Sequence, residues 1–373
     1  MTPPLASTTP LIIGGGLAGA SAATRLAQTG HHPIVFERES APHDKICGEF
    51  LSVEASRHLA ALGFDVARLG GARIDTMRLH IGRRTAATRL PFVATGITRR
   101  SLDAALLDHA AGQGADIRRG TAVRHIAGNR AITGSGETAP GPILLATGKH
   151  ELRGHPRDAA GTIANLIGFK QFFRATPALR RALAGAVDVT AFAGGYAGLQ
   201  LVENHRLNLC LLVDRSHFKA IGGTWPALFA ALLREPGLAL LADAEPLLEK
   251  PLTIAAVPYG FLVQPNPADT LYRLGDQAAV IPSFCGDGMA MALHSGRLAA
   301  DMLAAGACPN AYQSRLRRDV ARQVHLAATL QRFAATAPGR FALIAGLTAV
   351  PAALAALARW TRVEPSAVAR AGA

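Results

Sequence analysis

Short apolar runs and an alanine-rich segment alternate through the first 40 residues. Leu11–Ile13 predicts a buried strand, glycines follow at 14–19, and the alanine-rich stretch after them predicts a helix that ends before Gly30. The apolar run Pro33–Phe36 predicts a second strand, which ends in Glu37. Strand, helix and strand in this order predict a βαβ unit of a parallel sheet.

A second group of apolar runs predicts an antiparallel sheet built from two separate stretches, 73–98 and 160–272. Residues 192–213 form the clearest hairpin pattern, and Tyr196 and Phe261 are candidates either for a cavity wall or for the core. The predicted strands are Ile74–Ile81, Thr85–Leu90, Thr162–Phe173, Val187–Phe192, Tyr196–Val202, Leu207–Val213 and Leu252–Val257.

The C-terminal part reads as helical. Pro309–Thr336 predicts one long amphipathic helix. Phe341–Ala358 is an 18-residue stretch without charge, which has the length of a membrane span but is interrupted by Gly346 and Pro351. We expect short helices packed on the body of the protein, with peripheral contact of this tail with a membrane as the alternative.

Length and composition support a large folded core. The chain has 373 residues, of which 49% are hydrophobic and 17% charged, so a disordered chain and a coiled coil are excluded. The two kinds of predicted element interleave along the sequence. We therefore expect a dinucleotide-binding domain of residues 1–72, 99–159 and 273–335, a substrate domain of residues 73–98 and 160–272, and a helical tail of residues 336–373.

The net charge of +13 does not by itself indicate a nucleic-acid partner. Only five of the 39 basic residues are lysines, and the arginines are spread along the chain. The densest arginine run, between Arg315 and Arg322, has no interleaved aromatic residues, and aromatics are only 5% of the chain. Proteins that bind nucleic acids concentrate their charge or combine it with stacking aromatics, so we expect no nucleic-acid partner.

The four cysteines predict neither a disulfide framework nor a metal site. Cys47, Cys210, Cys285 and Cys308 lack the paired spacing of zinc ligands. Free cysteines are typical of a reducing compartment, so we expect a cytoplasmic protein that binds no metal and is in contact with a membrane only if the tail docks there.

Gly14-x-Gly16-x-x-Gly19 lies between the first predicted strand and helix, where each glycine has a mechanical task. Gly14 permits a tight turn, Gly16 lets the backbone approach a pyrophosphate, and Gly19 allows close packing of helix and strand. The helix N-terminus then faces the phosphates. Glu37, 18 residues beyond Gly19, is placed to accept hydrogen bonds from ribose hydroxyls. We therefore predict a Rossmann-like dinucleotide site, with Ala18 and Arg38 as further contacts.

Three more motifs accompany this turn: Arg99-x-x-Leu102-Asp103, the strand that ends at Thr147-Gly148, and residues 274–289. Together the motifs resemble those of the FAD-dependent oxidoreductases of the p-hydroxybenzoate hydroxylase and geranylgeranyl reductase superfamily. The likeness extends over residues 10–335. It implies an α/β fold with a Rossmann-like FAD-binding domain of the glutathione-reductase-2 type, interleaved with the antiparallel-sheet substrate domain.

The resemblance implies a role for each motif. Arg99 reaches the FAD phosphate or ribityl chain, and the small turn Thr147-Gly148 leaves room for the cofactor. The hydroxylases have Asp-Gly at this turn, so their manner of docking NAD(P)H is not implied here. Asp276 binds a ribityl hydroxyl. Gly286, Gly288 and Met289 bring the backbone to the flavin ring, where a helix N-terminus stabilises the charge of the reduced flavin.

A last motif points to the reaction. Lys45-Ile46-Cys47-Gly48 resembles the Cys-Gly motif of geranylgeranyl reductases, in which the cysteine lies at the active site near the flavin. The resemblance implies Cys47 as a proton donor or a substrate contact, although an isolated cysteine is often a small buried hydrophobe. Glu49 is a second catalytic candidate, as an acid or base if it is desolvated. Ser52 predicts the N-cap of a helix over Val53–Leu62.

We therefore expect a FAD-dependent oxidoreductase that acts on a hydrophobic small molecule, with NAD(P)H or another electron donor as reductant. The first expectation is a monooxygenase that hydroxylates a hydrophobic or aromatic metabolite. The alternative is a reductase of carbon–carbon double bonds, similar to geranylgeranyl reductase. A non-enzymatic scaffold with the FAD fold is the third. The flavin halogenase branch is disfavoured because its Trp-x-Trp motif is missing.

Overall fold

The computed structural model describes residues 9–349 and 362. The strands are β1 (Leu11–Ile13), β2 (Ile34–Glu37), β3 (Phe50–Leu51), β4 (Ala72–Ile81), β5 (Arg84–Gly96), β6 (Asp116–Arg119), β7 (Val123–Ala127), β8 (Arg130–Thr133), β9 (Gly136–Glu137), β10 (Ile143–Leu145), β11 (Leu166–Arg174), β12 (Gly185–Phe192), β13 (Gly195–Leu201), β14 (Arg206–Asp214), β15 (Leu252–Ala255) and β16 (Leu271–Arg273). The helices are α1 (Leu17–Gln28), α2 (Val53–Ala61), α3 (Arg99–Gly112), α4 (Pro177–Leu183), α5 (Arg215–Ala220), α6 (Trp225–Leu232), α7 (Gly288–Ala304), α8 (Pro309–Ala335) and α9 (Ala337–Ala349).

A five-stranded parallel sheet carries the predicted dinucleotide motif. Its order is β16-β10-β1-β2-β6, and every pairing in it is parallel. Helix α1 follows β1 and packs against α3 and α7. Ile12, Val35 and Leu144 are fully buried in the core. Parallel strands that are covered on both faces are apolar along their length, which is why short uninterrupted apolar runs predicted them correctly.

The second sheet has eight strands in the order β15-β11-β14-β13-β12-β4-β5-β3. The expected antiparallel pattern holds with one correction, because β4 and β12 pair in parallel. These two strands come from the two separate stretches of chain, and a long crossover through the parallel sheet connects them, as a parallel pair requires. The predicted α/β fold class with a Rossmann-like sheet and a helical C-terminus is confirmed.

Helices that the sequence analysis did not predict cover one face of this sheet. The aromatic side chains of α6 stack there, with Trp225 on Phe229 and Phe229 on Phe173 of β11. Leu228 and Leu232 complete a buried cluster with the β11 and β14 side chains. The opposite face carries the side chains that line a cavity, among them Met77 and Val189.

The C-terminal helices pack on the body of the protein. Helix α9 buries Ile344 and Leu347 against Leu79 of β4 and Ala86 of β5. Within the described part of the chain, no helix has both the length and the hydropathy to cross a membrane. The second half of the uncharged stretch, from residue 350, lies outside the described residues. Peripheral contact of the tail with a membrane stays a prediction.

Candidate active site

A cavity of about 540 Å³ lies between the end of the parallel sheet and the face of the eight-stranded sheet that is opposite to α6. Both predicted catalytic residues, Cys47 and Glu49, are on its wall. Gly19 is the one predicted cofactor residue that does not line it. The other predicted cofactor residues all do: Gly14, Gly16, Ala18, Glu37, Arg38, Arg99, Thr147, Gly148, Asp276, Gly286, Gly288 and Met289.

The glycine turn has the geometry that its spacing predicts. Gly14 has φ +108°, and a Cβ at this position would lie 2.4 Å from the carbonyl oxygen of Ala146. A Cβ on Gly19 would lie 1.9 Å from the carbonyl oxygen of Gly14, so only glycine lets α1 pack this closely on the turn. Gly19 therefore affects the site through the packing of α1 on the glycine turn, without lining the cavity itself.

Gly16 faces a cluster of charged side chains at the N-terminus of α1. A Cβ on Gly16 would lie 3.4 Å from Arg99 Nη2 and 3.6 Å from Lys45 Nζ. Arg99 pairs with Asp103 through Nε–Oδ1 (2.6 Å) and Nη2–Oδ2 (2.8 Å), and Lys45 Nζ lies 2.8 Å from the same Oδ2. Two cations share one carboxylate, so the cluster has a net positive charge that suits a phosphate group.

The charges in this cluster are fixed by their neighbours. Burial acts to raise the pKa of Asp103, but Arg99 and Lys45 hold that pKa below its usual value. Asp103 therefore stays ionised and orients both cations. Lys45 was missed as a charge partner in the sequence analysis; the available signal was that it is one of only five lysines and adjoins the Cys-Gly motif.

Glu37 ends β2 and holds the glycine turn in place. Its Oε2 accepts a hydrogen bond from Gly15 N (2.8 Å) and its Oε1 accepts one from Glu39 N (3.0 Å). Each carboxylate oxygen has a second lone pair, so both can still accept from hydroxyl groups. Its predicted contact with ribose stays a prediction that this geometry allows.

The Thr147-Gly148 turn and Asp276 form the opposite wall. Gln277, which is fully buried, donates from Nε2 to Gly148 O (2.8 Å). Arg157 donates to Asp276 O (3.0 Å) and to Lys149 O (2.9 Å). Two side chains thus tie the turn that follows β10 to the turn that follows β16. Neither Gln277 nor Arg157 carries a sequence signal that would have identified it.

The motif of residues 274–289 approaches Phe50, which lies three residues after Cys47. Gly286 has φ +68°, and a Cβ there would lie 2.9 Å from Phe50 Cδ1. Helix α7 begins two residues later at Gly288, so its free N–H groups face the cavity. A bulky residue at position 286 would push Phe50 and its loop away from this helix end.

Four side chains anchor residues 45–49, which we call the Cys47 loop. The anchors come from distant parts of the chain, and each donates to a different carbonyl of the loop. The bonds are Lys170 Nζ to Lys45 O (2.9 Å), Lys149 Nζ to Ile46 O (2.7 Å), Asn208 Nδ2 to Gly48 O (2.9 Å) and Gln200 Nε2 to Glu49 O (2.8 Å). None of the four anchors was predicted from the sequence. With its neighbours held in this way, Cys47 is presented to the cavity at a fixed position.

Glu49 lies fully buried at the end of this loop, with φ +59°. Its Oε1 accepts a hydrogen bond from Arg99 N (3.0 Å) and forms an ion pair with Lys170, which is also fully buried. Burial raises the pKa of Glu49 to about 7, although Lys170 acts to lower it. Glu49 thus meets the condition of desolvation on which its role as an acid or base depends, and that role stays a prediction.

The remaining wall is apolar and belongs to the eight-stranded sheet. Met77, Leu90, Val187 and Val189 line it. Tyr196 also lines the cavity, and its hydroxyl accepts a hydrogen bond from Phe284 N (3.1 Å). This half suits a hydrophobic small molecule.

Of the two alternatives given for Phe261, the core is the one observed: it is buried in the main core and does not line the cavity. Arg362 was not a candidate, yet its guanidinium lines the cavity, lies 3.9 Å above the Phe92 ring and pairs with Glu54 Oε2 at 3.1 Å.

Replacing Arg99 by glutamine tests the charged cluster. We expect the dissociation constant for FAD to rise about 10- to 100-fold, because a charge-assisted hydrogen bond contributes about 1.5–3 kcal/mol. The matched control is Arg100→Gln, since Arg100 is more than half exposed and lies 3.8 Å from Asp44. Fluorescence titration of the apoprotein with FAD measures both variants. Equal affinity in the two variants would remove Arg99 from the cofactor site.

Comparison with known proteins identifies the cofactor. Residues 7–136 match the family model described as the FAD binding domain. The menaquinone reductase of Mycolicibacterium smegmatis is 24% identical over 359 residues, which cover 87% of this chain and 85% of that protein.

Solved structures agree on the fold. A flavoprotein/dehydrogenase from Cytophaga hutchinsonii superposes with a TM-score of 0.68 at 20% identity, covering 80% of this chain and 79% of that one. P. aeruginosa PqsL in complex with 2-aminobenzoylacetate superposes with a TM-score of 0.68 at 17% identity, covering 87% of this chain and 95% of that one. The myxobacterial chondrochloren halogenase CndH superposes with a TM-score of 0.71 at 20% identity, covering 98% of this chain and 95% of that one.

The residues of the cavity fit FAD. The space in front of Gly16 and the net positive charge of the Arg99–Lys45–Asp103 cluster suit a pyrophosphate. Asp276 and the start of α7 line the same cavity further along. The resemblance drawn from the sequence motifs is confirmed as far as a FAD-dependent oxidoreductase, and FAD binding is supported by the family model over residues 7–136. The source of electrons stays a prediction.

Proposed function

We propose that this chain, a FAD-dependent oxidoreductase by fold and by its FAD binding domain, is a reductase of a polarised double bond in an apolar substrate, with Cys47 as the proton donor. The observation that carries the proposal is the Cys47 loop, whose cysteine lines the cavity beside the predicted cofactor residues. The similarity to a menaquinone reductase over most of both chains supports the same reading.

The loop geometry supports proton donation by the thiol. Glu49 N donates a hydrogen bond to Cys47 Sγ (3.4 Å), and anchoring of the neighbouring carbonyls keeps the sulfur in place. A proton donor has to be held within reach of the atom that it protonates. FAD, when bound and reduced, supplies a hydride, and we propose NAD(P)H or another electron donor as its source.

The other wall residues have simpler tasks. The apolar side chains of β4, β5 and β12 hold the substrate and keep water out of the site. Tyr196 keeps the loop of Phe284 in place through its hydroxyl. Each task belongs to binding and orientation, so substitutions here should change substrate affinity before they change FAD content.

Hydroxylation is the second candidate function. It was the first expectation from the sequence, and the apolar half of the cavity suits an aromatic substrate equally well. Reduction is placed ahead of it because an anchored cysteine has a task in protonation and none that we can assign in oxygen transfer.

An anaerobic single turnover separates the two reactions. The FAD-loaded protein is reduced, mixed with a short-chain menaquinone in the absence of oxygen, and followed by flavin absorbance and by product mass. We expect reoxidation of the flavin and a product heavier by two hydrogen atoms. No anaerobic reaction, together with a product that gains one oxygen atom in air, would replace the reductase by a monooxygenase.

The Cys47→Ala variant tests the proton donor. We expect its anaerobic reduction rate to fall by about 10²- to 10⁴-fold, the range for loss of a positioned general acid, with FAD content unchanged. Cys308→Ala is the matched control, because Cys308 is exposed and does not line the cavity. An unchanged rate in Cys47→Ala would leave the proton to another group.

A further inference from the structure

Lys149 stands apart among the lysine and arginine side chains on the cavity wall. Within residues 9–349 and 362, each of the others has a carboxylate partner, whereas no carboxylate oxygen lies within 4 Å of the Lys149 nitrogen. The pairs are Arg38–Glu39 (2.9 Å), Lys45–Asp103 (2.8 Å), Arg99–Asp103 (2.6 Å) and Arg362–Glu54 (3.1 Å). Lys149 is hydrogen-bonded to the neutral carbonyl of Ile46 at 2.7 Å.

The surroundings keep this ammonium charged. Burial acts to lower the pKa of Lys149, but Tyr259, Asp276, Cys47 and Cys210 act to raise it, and the net shift is upward. These four groups face it from four elements of the site: the segment before β16, the turn after β16, the Cys47 loop and β14. Lys149 is therefore a cation at neutral pH, next to the thiol that we assign as proton donor.

The Lys149 ammonium has hydrogen-bonding capacity that its contact with Ile46 does not use. Nearby groups keep it charged although no carboxylate oxygen of the described residues is in direct contact with it, so an oxygen of a ligand can take the position that a carboxylate has at the other cations. The ammonium has three N–H donors, of which one is used by Ile46 O. The pyrophosphate has its own cations in Arg99 and Lys45 beside Gly16, so the free donors of Lys149 are left for another group.

We propose that Lys149 binds an oxygen of the substrate, as a carbonyl that becomes an enolate or as a phenolate. This rests on the proposed function and names the substrate class: an apolar, conjugated molecule with a quinone, enone or phenolic oxygen. When a hydride supplied by reduced FAD adds to one carbon of a conjugated double bond, the π electrons move to the carbonyl oxygen. The Lys149 cation stabilises that charge, and the proton then goes to the other carbon.

The same assignment holds if the reaction is hydroxylation. A phenol reacts with an electrophilic oxygen donor more readily as its phenolate, and a lysine ammonium favours that ionised form. The substrate class therefore does not depend on which of the two reactions occurs.

The test measures binding to the oxidised, FAD-loaded protein, so that no turnover is involved. 4-Nitrophenol is the probe, because its anion absorbs visible light, and 4-nitrotoluene is its neutral isostere. The variants are Lys149→Gln, which keeps a donor for Ile46 O without the charge, and Lys149→Arg, which keeps the charge. Lys250→Met is the control, since Lys250 is exposed and lies outside the cavity.

We expect bound 4-nitrophenol to ionise at a lower pH than the free phenol in the wild-type protein and in Lys149→Arg. In Lys149→Gln the affinity for the anion should fall about 10- to 100-fold, while the affinities for 4-nitrotoluene and FAD stay within about twofold. Unchanged affinity for the anion in Lys149→Gln overturns the proposal. A loss of FAD affinity without a loss of anion affinity also overturns it, because Lys149 would then belong to the cofactor. Failure of the anaerobic turnover, by contrast, would contradict the proposed reductase without affecting this binding result.

Discussion

Replacing Lys170 by methionine is expected to lower the free energy of unfolding by about 3–5 kcal/mol at pH 8, the range for breaking a buried ion pair. Lys170 and Glu49 are both fully buried, and the lysine also donates to Lys45 O at 2.9 Å. Methionine fills a similar volume but leaves the Glu49 carboxylate without its cation. Midpoints of urea unfolding measure the effect.

The loss should depend on pH in a defined direction. Burial raises the pKa of Glu49 from 4.5 to about 7, so the folded state binds more protons than the unfolded state between these values. The contribution of Glu49 to stability therefore falls as pH rises through this window. Without Lys170 the pKa of Glu49 rises further. Ionisation of Glu49 therefore lowers the free energy of unfolding of the variant more than that of the wild type at pH 8, and has little effect on it near pH 4.5.

Two controls identify the cause. Lys219→Met changes an exposed lysine and should leave the urea midpoint nearly unchanged. Lys170→Met combined with Glu49→Gln removes both charges and should recover part of the stability at pH 8. If Lys170→Met were equally destabilised at pH 5 and pH 8, packing rather than the ion pair would explain the loss.

The Gly19→Ala variant is expected to lose FAD, with a dissociation constant raised by about 100-fold or more. The added Cβ would lie 1.9 Å from the carbonyl oxygen of Gly14, which is backbone and cannot rotate away. Helix α1 must then move off the turn, and its N-terminal N–H groups leave the phosphate position. Loss of such charge-assisted hydrogen bonds costs about 1.5–3 kcal/mol each.

The control for this variant is Gly112→Ala. Gly112 is the last residue of α3, and a Cβ at this position would contact nothing within 4 Å. The Gly112→Ala variant should therefore fold and bind FAD as the wild type does. The measurement is FAD retained per chain after desalting, followed by titration of the apoprotein. Retention of FAD by Gly19→Ala at wild-type affinity would show that α1 tolerates the added methyl group.

Local patterns predicted much of the fold. The strand Leu11–Ile13 is as expected, and Ser52 caps α2 by accepting a hydrogen bond from Ala55 N (3.3 Å). In both cases the pattern lies within a few residues. The short helices α4 to α6 were missed, because each is too brief for its periodicity to stand out beside the neighbouring apolar strands.

The α/β class, the dinucleotide turn and Cys47 as a candidate follow from the order and spacing of residues along the chain. The tertiary structure alone decided the parallel pairing of β4 with β12 and the anchoring of the Cys47 loop by side chains that are 100 or more residues away. It also decided that, among the described residues, Lys149 faces the cavity with no carboxylate oxygen within 4 Å, whereas each of the other lysines and arginines on the cavity wall is paired with one. Periodicity along the chain predicts which face of an element is buried. It does not predict which distant side chain will contact that face, and the pairing of buried charges depends on such contacts.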